Sequence, residues 1–327
     1  MENSKISWCD HTFNPVLGCV KVSDGCKNCY AEQLCTQRMG IDVWGKNATR
    51  QRTKTWGDPV KWQAQAHAER TLVGLPGDPG GLPGKRGSAA RARAGRILAT
   101  LPTLQGPNSI AALAEAAGCK PKDVLKLVDC GALEVTGRRS LADLRKPRVF
   151  CASLSDVFED HPDWTPVRPE LWDLIRKCPD LDWLLLTKRP QNILGMLPPD
   201  WGQGWEHVWL GTSIEDMRVA ERADHLRAVP AAVRFISYEP ARGPLDALDL
   251  SKIDWVIYGG ESGKGWRAAD PDWARAMRDK CAAEGVTFFH KQSSGPRPGC
   301  GVELDGVTHH EWPQPKLVQL GLPTMVP

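Results

Sequence analysis

The 327-residue sequence lacks an apolar run near the length of a membrane-spanning helix, which needs about 20 consecutive apolar residues. Residues 1–8 are polar and contain no apolar segment of the kind found in secretory signal peptides. These two absences predict a cytoplasmic protein with no membrane partner. In a reducing compartment, clustered cysteines indicate a metal site or catalysis rather than disulfides.

A large excess of one charge is also missing, since 42 Lys and Arg residues stand against 39 Asp and Glu residues, giving a net charge of +3. Any surface that attracts nucleic acid must therefore be local. Tyrosine and phenylalanine are scarce, at three and six, whereas tryptophan occurs 14 times. Some of these tryptophans could stack on bases, but we expect most of them in the core.

Six apolar runs in the second half of the chain alternate with amphipathic segments. Continuous apolar strands separated by helices are typical of a parallel sheet buried on both faces. With one more strand before them, they predict an α/β fold that forms a complete or partial (β/α) barrel of the TIM type. The runs span residues 148–156, 181–190, 207–216, 233–240, 254–263 and 286–292, and helices are expected at 169–179, 216–229 and 270–285. The last helix should have Asp270 as its N-cap and Pro271 as its first residue.

Each of the six runs ends in polar residues. Because a barrel collects its active site at the carboxyl ends of its strands, these ends predict one shared polar site. The candidate catalytic residues are Lys188, Glu239 and Glu261, and the candidate ligand-binding residues at the strand ends are Ser153, Ser213 and Glu215. Lys188 and Arg189 have an equally good alternative, a salt bridge to Glu239 or Asp156.

Two glycines and a glutamate follow the fifth run, at Gly259, Gly260 and Glu261. Glycines allow the backbone to approach a ligand closely, and the glutamate could then pair with an ammonium group or hydroxyls. The alternative is a tight turn between strand and helix with a glutamate that faces solvent.

Residues 72–147 interrupt this pattern. Residues 72–96 are rich in glycine and proline and then basic, which predicts a flexible linker. Residues 97–147 then predict a first helix, a second at 109–117, a turn at Gly118, a third near 121–128 and a short strand, the pattern of a winged-helix-like module. The predicted domains are 1–71 and 148–292 for the barrel, 72–96 for the linker, 97–147 for the inserted module, and 293–327 for a C-terminal hairpin or cap that turns at Asp305–Gly306.

The inserted module predicts contact with nucleic acid, with its third helix in the major groove and linker arginines on phosphates. A protein-docking module or a stable tethered domain is the alternative. The candidate nucleic-acid-binding residues are Arg86, Arg91, Arg93, Lys120, Lys122, Lys126 and, at the barrel, Arg189.

Residues 13–35 contain four of the eleven cysteines, and six and then two residues separate Cys19, Cys26 and Cys29. Structural zinc sites usually pair two CxxC motifs, and only one is present here. Zinc remains possible if Cys35, Cys9 or His11 supplies a fourth ligand. Three thiolates without a fourth suit an iron–sulfur cube with one open iron.

This stretch resembles the cluster loop of radical S-adenosylmethionine (SAM) enzymes, especially those of the spore photoproduct lyase type. The matching residues are Asn14, Pro15, Gly18, Cys19, Gly25, Cys26, Cys29, Tyr30 and Ala31. The chain departs from that family in having three extra residues between Cys19 and Cys26. It also has Asn28 where the family places an aromatic residue beside the adenine, a role that Tyr30 or a tryptophan could take over.

Most of the chain outside 72–147 is also similar to a phage and prophage family with this three-cysteine motif, a domain of unknown function. The matching segments include "RVF..SLSDVFE", "LLLTKRP", "VRFISYEP" and "DWVIYGGESG". This similarity implies a phage or prophage protein that works in the cytoplasm of a bacterial host.

Together the resemblances imply a [4Fe–4S] cluster on Cys19, Cys26 and Cys29, with SAM as the second cofactor and an external electron donor such as flavodoxin or ferredoxin. Residues expected to bind SAM are Tyr30, Ser153, Ser213, Glu215, Gly259, Gly260 and Glu261. The preferred substrate is a modified nucleotide or a base of phage DNA. Two alternatives stay open: a zinc-stabilised nucleic-acid-binding protein without enzyme activity, and a radical SAM enzyme that acts on a peptide or small metabolite.

Overall fold

The structure is a computed structural model, and it describes residues 1–74, 88–104, 108–130, 132–138 and 145–313. Its strands are β1 (His11–Phe13), β2 (Val16–Leu17), β3 (Gln51–Arg52), β4 (Thr71–Gly74), β5 (Glu134–Arg138), β6 (Arg148–Cys151), β7 (Asp182–Thr187), β8 (Val208–Ser213), β9 (Val233–Tyr238), β10 (Trp255–Gly259) and β11 (Thr287–Gln292). Its α-helices are α1 (Tyr30–Gln33), α2 (Asp58–Arg70), α3 (Ala89–Thr100), α4 (Ile110–Ala116), α5 (Pro121–Asp129), α6 (Trp164–Lys177), α7 (Ile193–Met196), α8 (Glu221–Arg227) and α9 (Pro271–Glu284).

Seven parallel strands form the main sheet, in the order β1-β6-β7-β8-β9-β10-β11. Each strand pairs with the next one along the sheet, and each of the six predicted apolar runs contains one of them. The sheet curls into a half-barrel. This half-barrel is compatible with the partial form of the predicted (β/α) barrel, and its parallel strands in chain order are joined by crossovers of one hand.

Aromatic side chains fill one part of the core of this sheet. Trp8 packs on Phe150 with ring centroids 4.5 Å apart, and Trp255 contacts Phe235 at 5.7 Å and Phe289 at 6.0 Å. All five are buried. Large aromatic rings remove much apolar area from water, which explains why tryptophan is frequent here.

The helices after the strands follow their sequence signals. The Asp270 side chain accepts a hydrogen bond from Asp272 N at 2.9 Å, and α9 ends at Gly285, which has a left-handed φ of 68°. The predicted N-cap and end of this helix are therefore confirmed. The helix expected at 216–229 is instead split into a 3₁₀ turn at Met217–Val219 and α8.

Residues 57–147 together with 178–181 form a second compact unit. It contains α2 to α5 and the antiparallel pair β4–β5, and Ile97, Leu113, Val124 and Leu127 are central to its apolar core. Ser109 caps α4, Gly118 has a φ of 61°, and α5 starts at Pro121, as predicted. These elements make a small α/β unit.

The predicted linker differs from the structure at both ends. Within residues 72–96 lie the end of β4 and the start of α3, because Ser88 accepts a hydrogen bond from Arg91 N at 3.3 Å and so caps a helix. The remaining part, 75–87, lies outside the described residues. Residues 57–71 group with the inserted segment, whereas the predicted boundary was at residue 72.

The segment after β11 contains the expected turn. Asp305 and Gly306 have φ values of 54° and 76°, and Leu304 and Val307 exchange backbone hydrogen bonds across them. His310 stacks on Phe289 with ring centroids 4.3 Å apart. The hairpin therefore packs on the last strand; residues 314–327 of the predicted cap lie outside the described residues. None of the described helices is long and apolar enough to cross a membrane.

Gly211 in β8 leaves room for the ring of Phe235, since a Cβ at this position would lie 2.4 Å from two ring carbons. We expect Gly211→Ala to lower the free energy of unfolding by about 1–3 kcal/mol, because overpacking forces core side chains from their favoured rotamers. Urea unfolding followed by circular dichroism measures this loss.

The matched control is Gly195→Ala in α7, where a Cβ meets no atom within 4 Å. Alanine favours a helix, so this variant should keep or slightly gain stability. A Gly211→Ala protein as stable as the control would contradict the packing described for β8.

Candidate metal and active site

The three predicted metal ligands lie on one loop, residues 19–29, which we call the cysteine loop. Cys26 ends a 3₁₀ turn that starts at Asp24, and Cys29 is the N-cap of α1. Just before the loop, Gly18 has a φ of 108°, and a Cβ there would lie 2.3 Å from the carbonyl oxygen of Val43. Glycine is therefore required at the entry to the loop.

Cys19, Cys26 and Cys29 are free thiols, each of them half-buried. Burial raises the pKa of Cys19 to about 12, although the nearby Arg189 guanidinium opposes this rise. Burial also raises the pKa of Cys29, and the positive charge of Lys188 opposes this rise. Among the described residues, no three His, Cys, Asp or Glu side chains converge to hold a metal ion.

Arg189 is buried, 6% exposed, and connects the end of β7 to the cysteine loop. Its Nη1 donates to Asp156 Oδ2 at 2.8 Å and lies 3.6 Å from Cys19 Sγ, and its Nη2 donates to the Val20 carbonyl at 2.9 Å. The structure thus shows the salt-bridge alternative for Arg189. This buried position differs from the predicted contact with nucleic acid, which needs an accessible guanidinium.

Lys188, Ser213 and Glu215 come together where β7 and β8 end. Lys188 Nζ donates to Ser213 Oγ at 3.1 Å and lies 3.9 Å from Glu215 Oε1. Glu215 is 2% exposed and accepts hydrogen bonds from Ser23 Oγ at 2.6 Å and Arg222 Nη1 at 2.9 Å. Three predicted site residues therefore lie together, and one of them, Glu215, contacts the cysteine loop.

Glu239 forms an ion pair with Lys291, which lies near the end of β11. Gly259 of the intervening strand β10 makes room for this pair, because a Cβ on it would lie 2.8 Å from Glu239 Cδ. Lys291 is not among the candidates that the sequence predicts, although it belongs to the polar end of the apolar run at residues 286–292.

Glu261 does not face solvent, so the alternative of an exposed turn glutamate is wrong. It is 5% exposed and accepts hydrogen bonds from Asn28 Nδ2 at 3.1 Å and from Arg267 Nη2 at 2.6 Å. Burial alone would raise the pKa of Glu261, but these donors outweigh it and lower the pKa. The packing of the chain requires glycine at position 260, since a Cβ there would lie 2.2 Å from Ser294 N.

Tyr30 and Ser153 meet at the end of β6. The Tyr30 hydroxyl donates to the Ser153 carbonyl at 2.7 Å, and Asn14 Nδ2 donates to Ser153 Oγ at 3.1 Å. Leu154 N donates to Asn14 Oδ1 at 2.7 Å. The first residue of the cysteine motif, Asn14, thus attaches the start of the motif to the neighbouring strand.

The predicted nucleic-acid-binding residues of the second unit lie on α3 and near α5. Arg93 and Lys126 lie 3.2 and 3.7 Å from Asp123 Oδ1, and these cations help to lower the pKa of that carboxyl although burial opposes them. Lys120 and Lys122 are exposed, and Arg91 is half-buried. Arg86 lies outside the described residues.

A family model described as a protein of unknown function, DUF5131, matches residues 3–75 and 113–313. The chain belongs to the DUF5131 family. The match includes the cysteine loop and all seven strands of the main sheet. No curated protein and no solved structure matches the chain. DUF5131 membership agrees with the resemblance to a domain of unknown function, and radical SAM chemistry and phage origin stay predictions.

Arg189→Met should lower the free energy of unfolding by about 3–5 kcal/mol, because it leaves the buried carboxylate of Asp156 without its partner. Urea unfolding of the metal-free protein measures the loss. Adding Asp156→Asn to this variant should restore part of the stability, since the uncompensated charge is then removed.

Arg218→Met is the control, because Arg218 also pairs with an aspartate, Asp216, but its side chain is 71% exposed. Its cost should stay below about 1 kcal/mol. Equal losses in the two arginine variants would show that the Arg189 contacts are no stronger than a surface pair.

Proposed function

We propose that this DUF5131 chain is a radical-SAM-type enzyme in which Cys19, Cys26 and Cys29 bind a [4Fe–4S] cluster. The observation that carries the proposal is the position of these three free thiols on one loop that contacts residues following β7, β8 and β10. The carboxyl ends of the strands are where parallel (β/α) folds place their active sites.

The chemistry of the loop suits such a cluster. Thiolate ligands need nearby positive charge, and the Arg189 guanidinium lies 3.6 Å from Cys19 Sγ. Burial raises the pKa of both Cys19 and Cys29, and Arg189 and Lys188 oppose that rise. Two of the three residues considered above as a fourth zinc ligand, Cys9 and Cys35, are buried among apolar side chains. A four-ligand zinc site would therefore depend on His11, which is half-buried. Because no three ligands converge among the described residues, the thiols must turn toward one another on binding.

Held by Cys19, Cys26 and Cys29 and reduced by an external electron donor, such a cluster would supply the chemistry for reductive cleavage of the sulfonium bond of SAM. The chain's own residues would bind and orient SAM and the substrate. Lys188 and Lys291, with side chains 23% and 19% exposed, offer ammonium groups for carboxylates or phosphates. The Ser213 and Tyr30 hydroxyls add neutral hydrogen-bonding groups beside them.

For the substrate we propose a modified nucleotide or a base of phage DNA. The support comes from the second unit, where we interpret α4 and α5 as a helix-turn-helix and β4–β5 as its wing. Its α5 region presents exposed lysines at 120, 122 and 126. These can bind phosphates, whereas a role of this unit in protein docking would leave DNA affinity unchanged when they are neutralised.

The cofactor proposal is tested on protein purified without oxygen. We expect about four irons per chain and a brown colour. Cys26→Ala should lose both, because the [4Fe–4S] cluster needs all three thiolate ligands. Reduction in the presence of SAM should release deoxyadenosine. Metal analysis, visible spectra and chromatography of the products are the measurements.

Cys300→Ala is the control, since Cys300 is a half-buried free thiol outside the cysteine loop. It should keep its iron and colour. One zinc per chain, no colour and no SAM cleavage in the unaltered protein would overturn the proposal and support the zinc-stabilised binding protein.

The nucleic-acid proposal predicts salt-dependent DNA binding. Changing three lysines to glutamine should weaken binding and lower the slope of log K against log salt by about 2–3, since each phosphate contact contributes roughly 0.9. Fluorescence anisotropy at several salt concentrations measures both. The variant carries Lys120→Gln, Lys122→Gln and Lys126→Gln.

A matched variant removes the same charge from exposed lysines elsewhere: Lys54→Gln, Lys61→Gln and Lys252→Gln. It should bind DNA nearly as the unaltered protein does. The same loss of affinity in both variants would indicate a general charge effect and exclude a specific role for α5.

A further inference from the structure

Six residues separate Cys19 from Cys26 in the cysteine loop. Ser23, Asp24 and Gly25, the three residues before Cys26, each contact a side chain that follows a strand of the main sheet. This part of the loop is therefore attached to the barrel.

The first attachment is to Glu215, which follows β8. Ser23 Oγ donates to Glu215 Oε1 at 2.6 Å, and Arg222 Nη1 donates to its other oxygen at 2.9 Å. Gly25 lies directly against the same carboxylate, where a Cβ would be 2.2 Å from Oε1. Because Glu215 is buried and held from its far side, it forms a fixed support under the loop.

The second attachment is through Arg267, in the segment after β10. Its Nη1 donates to Asp24 Oδ2 at 2.7 Å and its Nη2 to the Asp24 carbonyl at 3.2 Å. Glu261 holds Arg267 in place and also accepts from Asn28 Nδ2 at 3.1 Å. Residues on both sides of Cys26 are thus fixed by one buried carboxylate and its arginine partner.

We infer that Glu215 and Glu261 are positioning residues that hold Cys26 and Cys29 in place through Ser23, Asp24, Gly25 and Asn28. The second half of the Cys19–Cys26 spacing serves to make these attachments. The sequence had assigned both glutamates to SAM, but their carboxylates are directed at the chain's own donors. That these contacts serve a metal cluster rests on the proposed function, whereas the contacts themselves do not depend on it.

Gly25→Ala tests the inference in metal-free protein under native conditions. The added methyl group overlaps Glu215, so the loop should open and iodoacetamide should alkylate Cys26 and Cys29 about tenfold faster or more. Peptide mass spectrometry gives the rate at each cysteine. The rate at Cys300 should not change, and the melting temperature should shift by no more than about 2 °C, since the loop is a local opening unit.

Arg267→Met removes the second attachment without crowding the loop and should raise the same two rates. Adding Glu215→Asp to Gly25→Ala should slow alkylation again, because the shorter side chain makes room for the methyl group while keeping the charge. Gly195→Ala, which meets no atom within 4 Å, is the neutral control.

Unchanged alkylation in both Gly25→Ala and Arg267→Met would overturn the inference, as would an equal rise at every cysteine. The outcome is independent of cofactor identity. Faster alkylation of Cys26 and Cys29 in a protein that binds zinc or no metal would leave the positioning role in place and remove the iron–sulfur proposal. Four irons in the unaltered protein together with unchanged alkylation in the variants would support the iron–sulfur proposal and remove the positioning role.

Discussion

The contacts of the cysteine loop with buried charges determine the architecture of this site. Arg189, Glu215 and Glu261 are nearly inaccessible to solvent, and each has at least one contact with the loop and one within the barrel. A buried charge is tolerated only when it is paired and hydrogen-bonded, so the loop and the barrel depend on each other. A short cysteine motif without its own regular structure thereby gains a defined position.

Much of the fold could be predicted from the sequence because its signals are local and repeated. The six apolar runs each became a strand, and Asp270, Pro271 and Gly285 marked the ends of α9 as capping chemistry requires. Predictions failed where the local signal was weak. Nothing in "GSAARARAGR" separates a basic linker from a helix unless Ser88 is recognised as its cap.

The residues of the site were easier to predict from the sequence than the residues with which each of them forms hydrogen bonds or ion pairs. Strand-end polarity identified Lys188, Glu239 and Glu261, but it could not show that Glu261 pairs with Arg267 from its own loop. Partner choice depends on side-chain directions across long sequence separations, as between Ser23 and Glu215. Asn28 illustrates this limit, since it was noted as a departure from a family pattern and proves to be a donor to Glu261.

The second unit enters the chain between β1 and β6, two strands that are hydrogen-bonded neighbours in the main sheet. The polypeptide therefore leaves the sheet and returns to the adjacent position whatever the length of the excursion. A change in the length of the segment between β1 and β6 leaves the order of the seven strands unaltered. Residues 178–181 of the second unit lie elsewhere in the chain, directly before β7. The DUF5131 match also passes over residues 76–112 while keeping every strand of the sheet. The stretch that the family model passes over thus lies in the chain between two strands that pair with each other, where a change of chain length alters neither their register nor the cysteine loop.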